Sequence, residues 1–118
     1  MSKYGVNYPN QIDLISQNGG ECNLHIVQSE QLGGDLLLKL QDKLNHYLAY
    51  ILDGQLQDDF PNLAEMQICI QLWLQHEPDD ETLKFLDKVT YTCSVEGIAL
   101  TTEIGSPDFN LEISEETA

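Results

Sequence analysis

Three histidines, His25, His46 and His76, stand among twenty aspartates and glutamates. Those are the residue types from which metal sites and acid–base pairs are built. No two of the histidines have the i, i+3 or i, i+4 spacing of a helix face, or the i, i+2 spacing of a strand face, that would bring two ligands together. The acids Glu77, Asp79, Asp80 and Glu81 cluster, but without the D-x-[DN]-x-[DN]-G frame of a calcium loop. They read instead as the anionic first turn of a helix. Neither Cys69 nor Cys93 has a cation beside it in sequence to form a thiolate, and G-x-S-x-G, the P-loop and G-x-G-x-x-G are all missing. Asp58-Asp59 is an ordinary pair in an acidic loop. The reading assigns no catalytic residue, no cofactor-binding residue and no metal ligand.

The residue that resists a bland role is Trp73. It lies in "EMQICIQLWLQ", where Met66, Ile68, Ile70, Leu72 and Leu74 alternate with Gln67, Cys69, Gln71, Trp73 and Gln75, the period of a strand. One side is wholly apolar and must face a core. The other holds a lone indole among glutamines, so Trp73, Gln71, Gln75 and Cys69 form a candidate interaction face, with Val27 nearby. Burial of Trp73 under Phe109 or Leu111 of the C-terminal segment would account for it equally well.

The elements that position this strand follow from pattern. "IDLIS" (12 to 16) and "CNLHIVQ" (22 to 28) flank "QNGGE", a hairpin with a loop of about five residues. In "LLLKLQDKLNHYLAYILDGQL" the residues Leu37, Leu40, Leu44, Leu48 and Ile51 recur at three and four, with Lys39, Asp42, Lys43 and His46 opposite. That predicts a helix from Asp35, as N-cap or first-turn anion, to Asp53, stopped by Gly54. A connection, "GQLQDDFPNLA", packs through Leu56, Phe60 and Leu63. A second helix begins at "EPDDE", buries Leu83, Leu86, Val89 and Cys93 with Phe85 beside them, and ends at Gly97. "IALTTEI" (98 to 104) alternates as a strand, and 109 to 113 reads as a further edge strand. The order is β-β-α-β-α-β: an α+β or α/β two-layer sandwich, an approximately four-stranded mixed sheet with two helices on one face. Residues 1–104 read as one domain, and 105–118 as an acidic tail or edge strand.

Composition narrows function. The chain of 118 residues carries a net charge of −15, with five lysines and no arginine. Nucleic acid and anionic membranes are therefore poor ligands, since phosphate recognition needs a cationic stripe. No apolar run approaches the ~20 residues of a membrane span. "MSKYGVNYPNQ" has no apolar core to follow its lysine, so a signal peptide is not expected. Three cysteines without C-x-x-C spacing suit reduced thiols, and a cytoplasmic location is the expectation.

"IDLI", "LHI", "LQDKLNHYLAYILDGQL" and "LKFL" together resemble a family of small bacterial proteins known only as a domain of unknown function. The match is carried by Leu40, Gln41, Lys43, Leu44, Asn45, Tyr47, Leu48, Ile51 and Gly54, with Pro61 beyond them, and spans roughly residues 12 to 104. The resemblance implies a compact α/β fold and supplies no activity, substrate, cofactor or functional residue. Asn45 reads as a structural group bonding to the loop that follows.

The expectation is a non-catalytic, acidic interaction module for a basic protein partner, of the immunity or antitoxin kind, with the charge steering association. Homodimerisation through the uncovered face or edge of the sheet is a related reading. The alternative is a small ligand-binding domain or enzyme with a pocket between the 54–64 connection and the sheet. A third reading, an acidic mimic of nucleic acid, requires carboxylates in paired rows at phosphate spacing.

Overall fold

In a computed structural model the structure describes residues 5–7 and 11–105. Two strands, β1 (Leu14–Asn18) and β2 (Glu21–Gln28), form an antiparallel hairpin in which Asn18 pairs with Glu21. Only Gly19 and Gly20 lie between them, so the loop is shorter than the five residues expected from sequence. The reason is conformational: Gly19 takes φ 62, a value open to glycine, which allows a two-residue turn where a side chain would force a wider one.

Helix α1 (Asp35–Leu52) follows, with Gly34 at the N-cap and Asp35 in the first turn. Asp35 is thus the first-turn anion rather than the cap. Residues 54–64, expected as a connection, wind into two short helices, α2 (Gln55–Asp59) and α3 (Pro61–Ala64). Pro61 occupies the first turn of α3, where its missing N–H costs nothing. Leu56 is buried in the core and Leu63 packs on it, whereas Phe60 stays largely exposed. Strand β3 (Gln67–Leu74), helix α4 (Asp80–Val95) and strand β4 (Ala99–Ile104) complete the order. Asp79 caps α4 by accepting a hydrogen bond from the Thr82 N–H at 2.8 Å.

The sheet runs β1-β2-β3-β4, antiparallel at the first pair and parallel at the other two. This is an α+β arrangement with a mixed, open four-stranded sheet. Parallel neighbours need a crossover, and α1 and α4 supply the two. Cys22, Leu24 and Ile26 of β2 stand in register with Ile68, Ile70 and Leu72 of β3, all buried. Against that surface α1 lays Leu37, Leu40, Leu44 and Tyr47, and α4 lays Leu86 and Cys93. An α1 of 18 residues is about 27 Å long and the eight residues of β3 span about 26 Å, so the long helix and the central strand are matched in length.

Three helix assignments are corrected. Leu83, expected in the core, is exposed, because Thr82, Leu86 and Cys93 define the buried side of α4. Asn45 is exposed beside α4 and makes no described bond to the following loop. Lys43, expected on the polar side of α1, is completely buried. The edge strand expected over 109 to 113, and with it Phe109 and Leu111, lies outside the described residues.

Candidate functional site

Two polar clusters occupy opposite sides of the sheet. On the helix side, Lys43 Nζ contacts Asp13 Oδ1 at 2.6 Å, with both side chains fully buried. The lysine also donates to the Gly5 carbonyl at 2.9 Å. Asp13 Oδ2 accepts the N–H groups of Gly5 and Val27, each at 3.0 Å. Tyr47 donates to the His25 carbonyl at 2.5 Å and accepts the Asp13 N–H at 2.8 Å. Gln28 closes the group by accepting the Val6 N–H at 2.9 Å. Burial pushes the Asp13 carboxyl up, against the hydrogen bond from Lys43, and pushes the Lys43 ammonium down, against the pull of Asp13. Every charge here has a partner, so the cluster ties residues 5–7, the start of β1, the end of β2 and the middle of α1 into one unit. Nothing in it is open to a substrate.

The second cluster is on the face that no described helix covers. There His25 of β2 lies between Ser16 of β1 and Trp73 of β3. Ser16 Oγ is 2.9 Å from His25 Nε2, and Trp73 Nε1 is 3.0 Å from His25 Nδ1. The rings are stacked at 25° with centroids 6.4 Å apart. An indole N–H can only donate, so Nδ1 must accept. The proton of the neutral imidazole then rests on Nε2 and is given to Ser16 Oγ.

This polarity decides the chemistry. A serine nucleophile needs an imidazole nitrogen that takes its proton, and here the serine oxygen receives one instead. Burial holds His25 near a pKa of about 4, against its ordinary 6.5, which keeps it neutral in the pH range where the indole bond requires it. Ser16 and His25 therefore resemble a dyad in composition but not in proton polarity, and the far nitrogen of the imidazole accepts from Trp73.

Around them is a concavity of about 470 Å³ lined by Ser16, Gln17, Asn18, Asn23, His25, Gln71 and Trp73. Of the residues expected to form an interaction face, Trp73 and Gln71 are brought to it, and Gln71 Nε2 is 3.4 Å from Asn23 Oδ1. Cys69 belongs to the same side of β3 but is buried, with its thiol pushed up by burial. Gln75 lies one residue beyond the end of β3, where its N–H bonds to the Gln28 carbonyl at 3.1 Å. Sequence pattern missed His25 and Ser16, because their meeting with Trp73 depends on strands 48 residues apart falling in register.

Other concavities, of about 330 and 490 Å³, follow the groove between α1 and α4. Its floor is apolar, formed by residues such as Leu44, Leu48, Phe85 and Val89, with Lys84 and Lys88 along one side. Among the described residues no group of three His, Cys, Asp or Glu side chains gathers as a metal site would require, and no helix is long and apolar enough to cross a membrane. Cys22, Cys69 and Cys93 are free thiols, all buried.

Comparison with protein-family models matches residues 4–106 to a family of unknown function, DUF6572. No curated protein and no solved structure matches the chain.

Proposed function

Taking as premise that the chain belongs to the DUF6572 family, which carries no assigned activity, we propose that it is a non-catalytic interaction module whose partner is a basic protein, as an immunity or antitoxin-like factor would be. The observation that carries this reading is the net charge of −15 in a chain without arginine. A field of that sign steers a cationic partner into contact and repels nucleic acid and anionic lipid. The face of the sheet that no described helix covers, with Trp73 and Gln71 on β3, is the surface on which the partner docks. In support, the serine–histidine pair on that face has the wrong proton polarity for catalysis, and the buried Asp13–Lys43 group is closed to solvent.

Native mass spectrometry of the protein drawn gently from its own cells at low salt tests the proposal. A stoichiometric complex with a basic polypeptide that dissociates as salt rises is the expected result. A bare monomer or homodimer, or a species carrying only a small-molecule mass, would overturn it.

A further inference from the structure

On the face that no described helix covers, the strand register builds two adjacent rows. One is His25, Gln71 and Thr101; the next is Val27, Trp73 and Glu103. Trp73 thus stands between an apolar neighbour on one side and a carboxylate on the other. Glu103 is exposed, and Trp73 is half-buried, its indole N–H held by His25. The residues lining the concavity beside them carry amides and a hydroxyl but no charge in the neutral state of His25. No described lysine belongs to this face: Lys39 and Lys43 are on α1, and Lys84 and Lys88 on α4, across the sheet.

An aromatic ring next in register to an exposed carboxylate that no described lysine pairs with, and bordered on its other side by an amide-lined concavity, matches one side chain better than any other. A guanidinium is planar, stacks on an indole face, and keeps donors at its edge to pair with a carboxylate at the same time. A lysine ammonium would satisfy the carboxylate but not the flat stacking. A neutral ligand would gain nothing from the Glu103 charge. A second copy of this chain would bring a further −15 to the same place.

Resting on the reading of a basic partner, we infer that the partner is anchored by an arginine, its guanidinium laid against the Trp73 indole and paired with the Glu103 carboxylate. The hydrogen bond to His25 sets the indole's orientation, so His25 and Ser16 act as positioning residues for the anchor. Tryptophan and arginine are the residue types that most often concentrate binding energy at an interface.

Because Trp73 is the single tryptophan of the chain, its fluorescence reports this site alone. The experiment titrates the intact protein at neutral pH and low salt with a short peptide alternating arginine with glycine and serine. A second peptide has citrulline in place of arginine. Heat changes are recorded alongside Trp73 emission. The arginine peptide is expected to bind saturably and shift the emission, and the citrulline peptide to do neither. Glu103→Gln, an exposed substitution, should weaken binding about three- to tenfold, and Trp73→Phe should weaken it by a similar factor, with unfolding midpoints showing that both variants are folded. If the peptide binds while the emission stays fixed and Glu103→Gln binds as tightly as the parent, the anchor is wrong although the basic partner stands. If the peptide does not bind at all, both readings fail. An emission change that depends on protein concentration without peptide would assign the face to a second copy and overturn the anchor.

Discussion

The two polar clusters differ in what they do with charge. Asp13 and Lys43 are ionic, fully enclosed and matched donor to acceptor, whereas Ser16, His25 and Trp73 are neutral and line a concavity, with Ser16 and Trp73 partly exposed and His25 buried between them. Enclosure makes the first a structural fastening, because an ion pair taken out of water survives only where all of its hydrogen-bonding capacity is met. Openness leaves the second free to present a ring and to meet something from outside. A histidine and a serine at hydrogen-bond distance would ordinarily invite an enzymatic reading. The indole donor on the far nitrogen withdraws it.

The most disruptive way to test the contrast is to break the ion pair from one side. Lys43→Met should cost about 3–5 kcal/mol in denaturant unfolding, since it strands the Asp13 carboxylate in the core and leaves the Gly5 carbonyl without its donor. Adding Asp13→Asn to it should recover a substantial part, because an amide still offers an acceptor without a charge. If the double variant is as unstable as the sum of the two singles, the cluster is not held by charge pairing.

Next in size is the response to acid on the open face. His25 has a folded pKa of about 4, below the ordinary 6.5, so between those values the unfolded chain binds the proton that the folded chain refuses. Stability is therefore fully present above about pH 6.5, falls as pH drops through that window, and loses no more from this group below about pH 4. The loss approaches ~3 kcal/mol at the low end. It should appear as the difference between the parent and His25→Gln across a pH series, which cancels the contribution of the carboxylates. The Trp73 emission should change near the lower pH, where Nδ1 gains a proton and the indole loses its acceptor.

The mildest perturbation is Ser16→Ala. It removes the acceptor of the His25 Nε2 proton and should cost about 1–2 kcal/mol, with little change in the Trp73 emission at neutral pH, because the Trp73 bond to Nδ1 remains. A loss as large as that of Lys43→Met would mean that the two clusters are not of different kinds.

Much of the architecture was legible from pattern. The unbroken alternation of 66–74 and the three-and-four spacing of 36–52 marked the central strand and its covering helix, because a buried face imposes its period on the residues that form it. Trp73 and Gln71 were likewise legible as members of the opposite face. Lys43 was not, since a lysine on a helix is ordinarily solvated. Only the return of residues 5–7 and Asp13 to that spot makes its burial tolerable. Leu83 failed for a related reason: α4 has apolar residues on more than one side, and the sheet accepts only the side bearing Leu86 and Cys93.

By itself, then, the sequence determined the number and kind of its main elements, the apolar side of each strand, and a net charge of −15. Period and charge are local or additive properties, and a list of residues carries them in full. Tertiary structure alone decided that Asp13 meets Lys43, that His25 receives the Trp73 N–H, and that Glu103 pairs in register with Trp73. Those meetings join residues 30 or more positions apart. They are fixed by strand order and register, which come from packing the whole sheet against its helices at once and are written in no single stretch of chain.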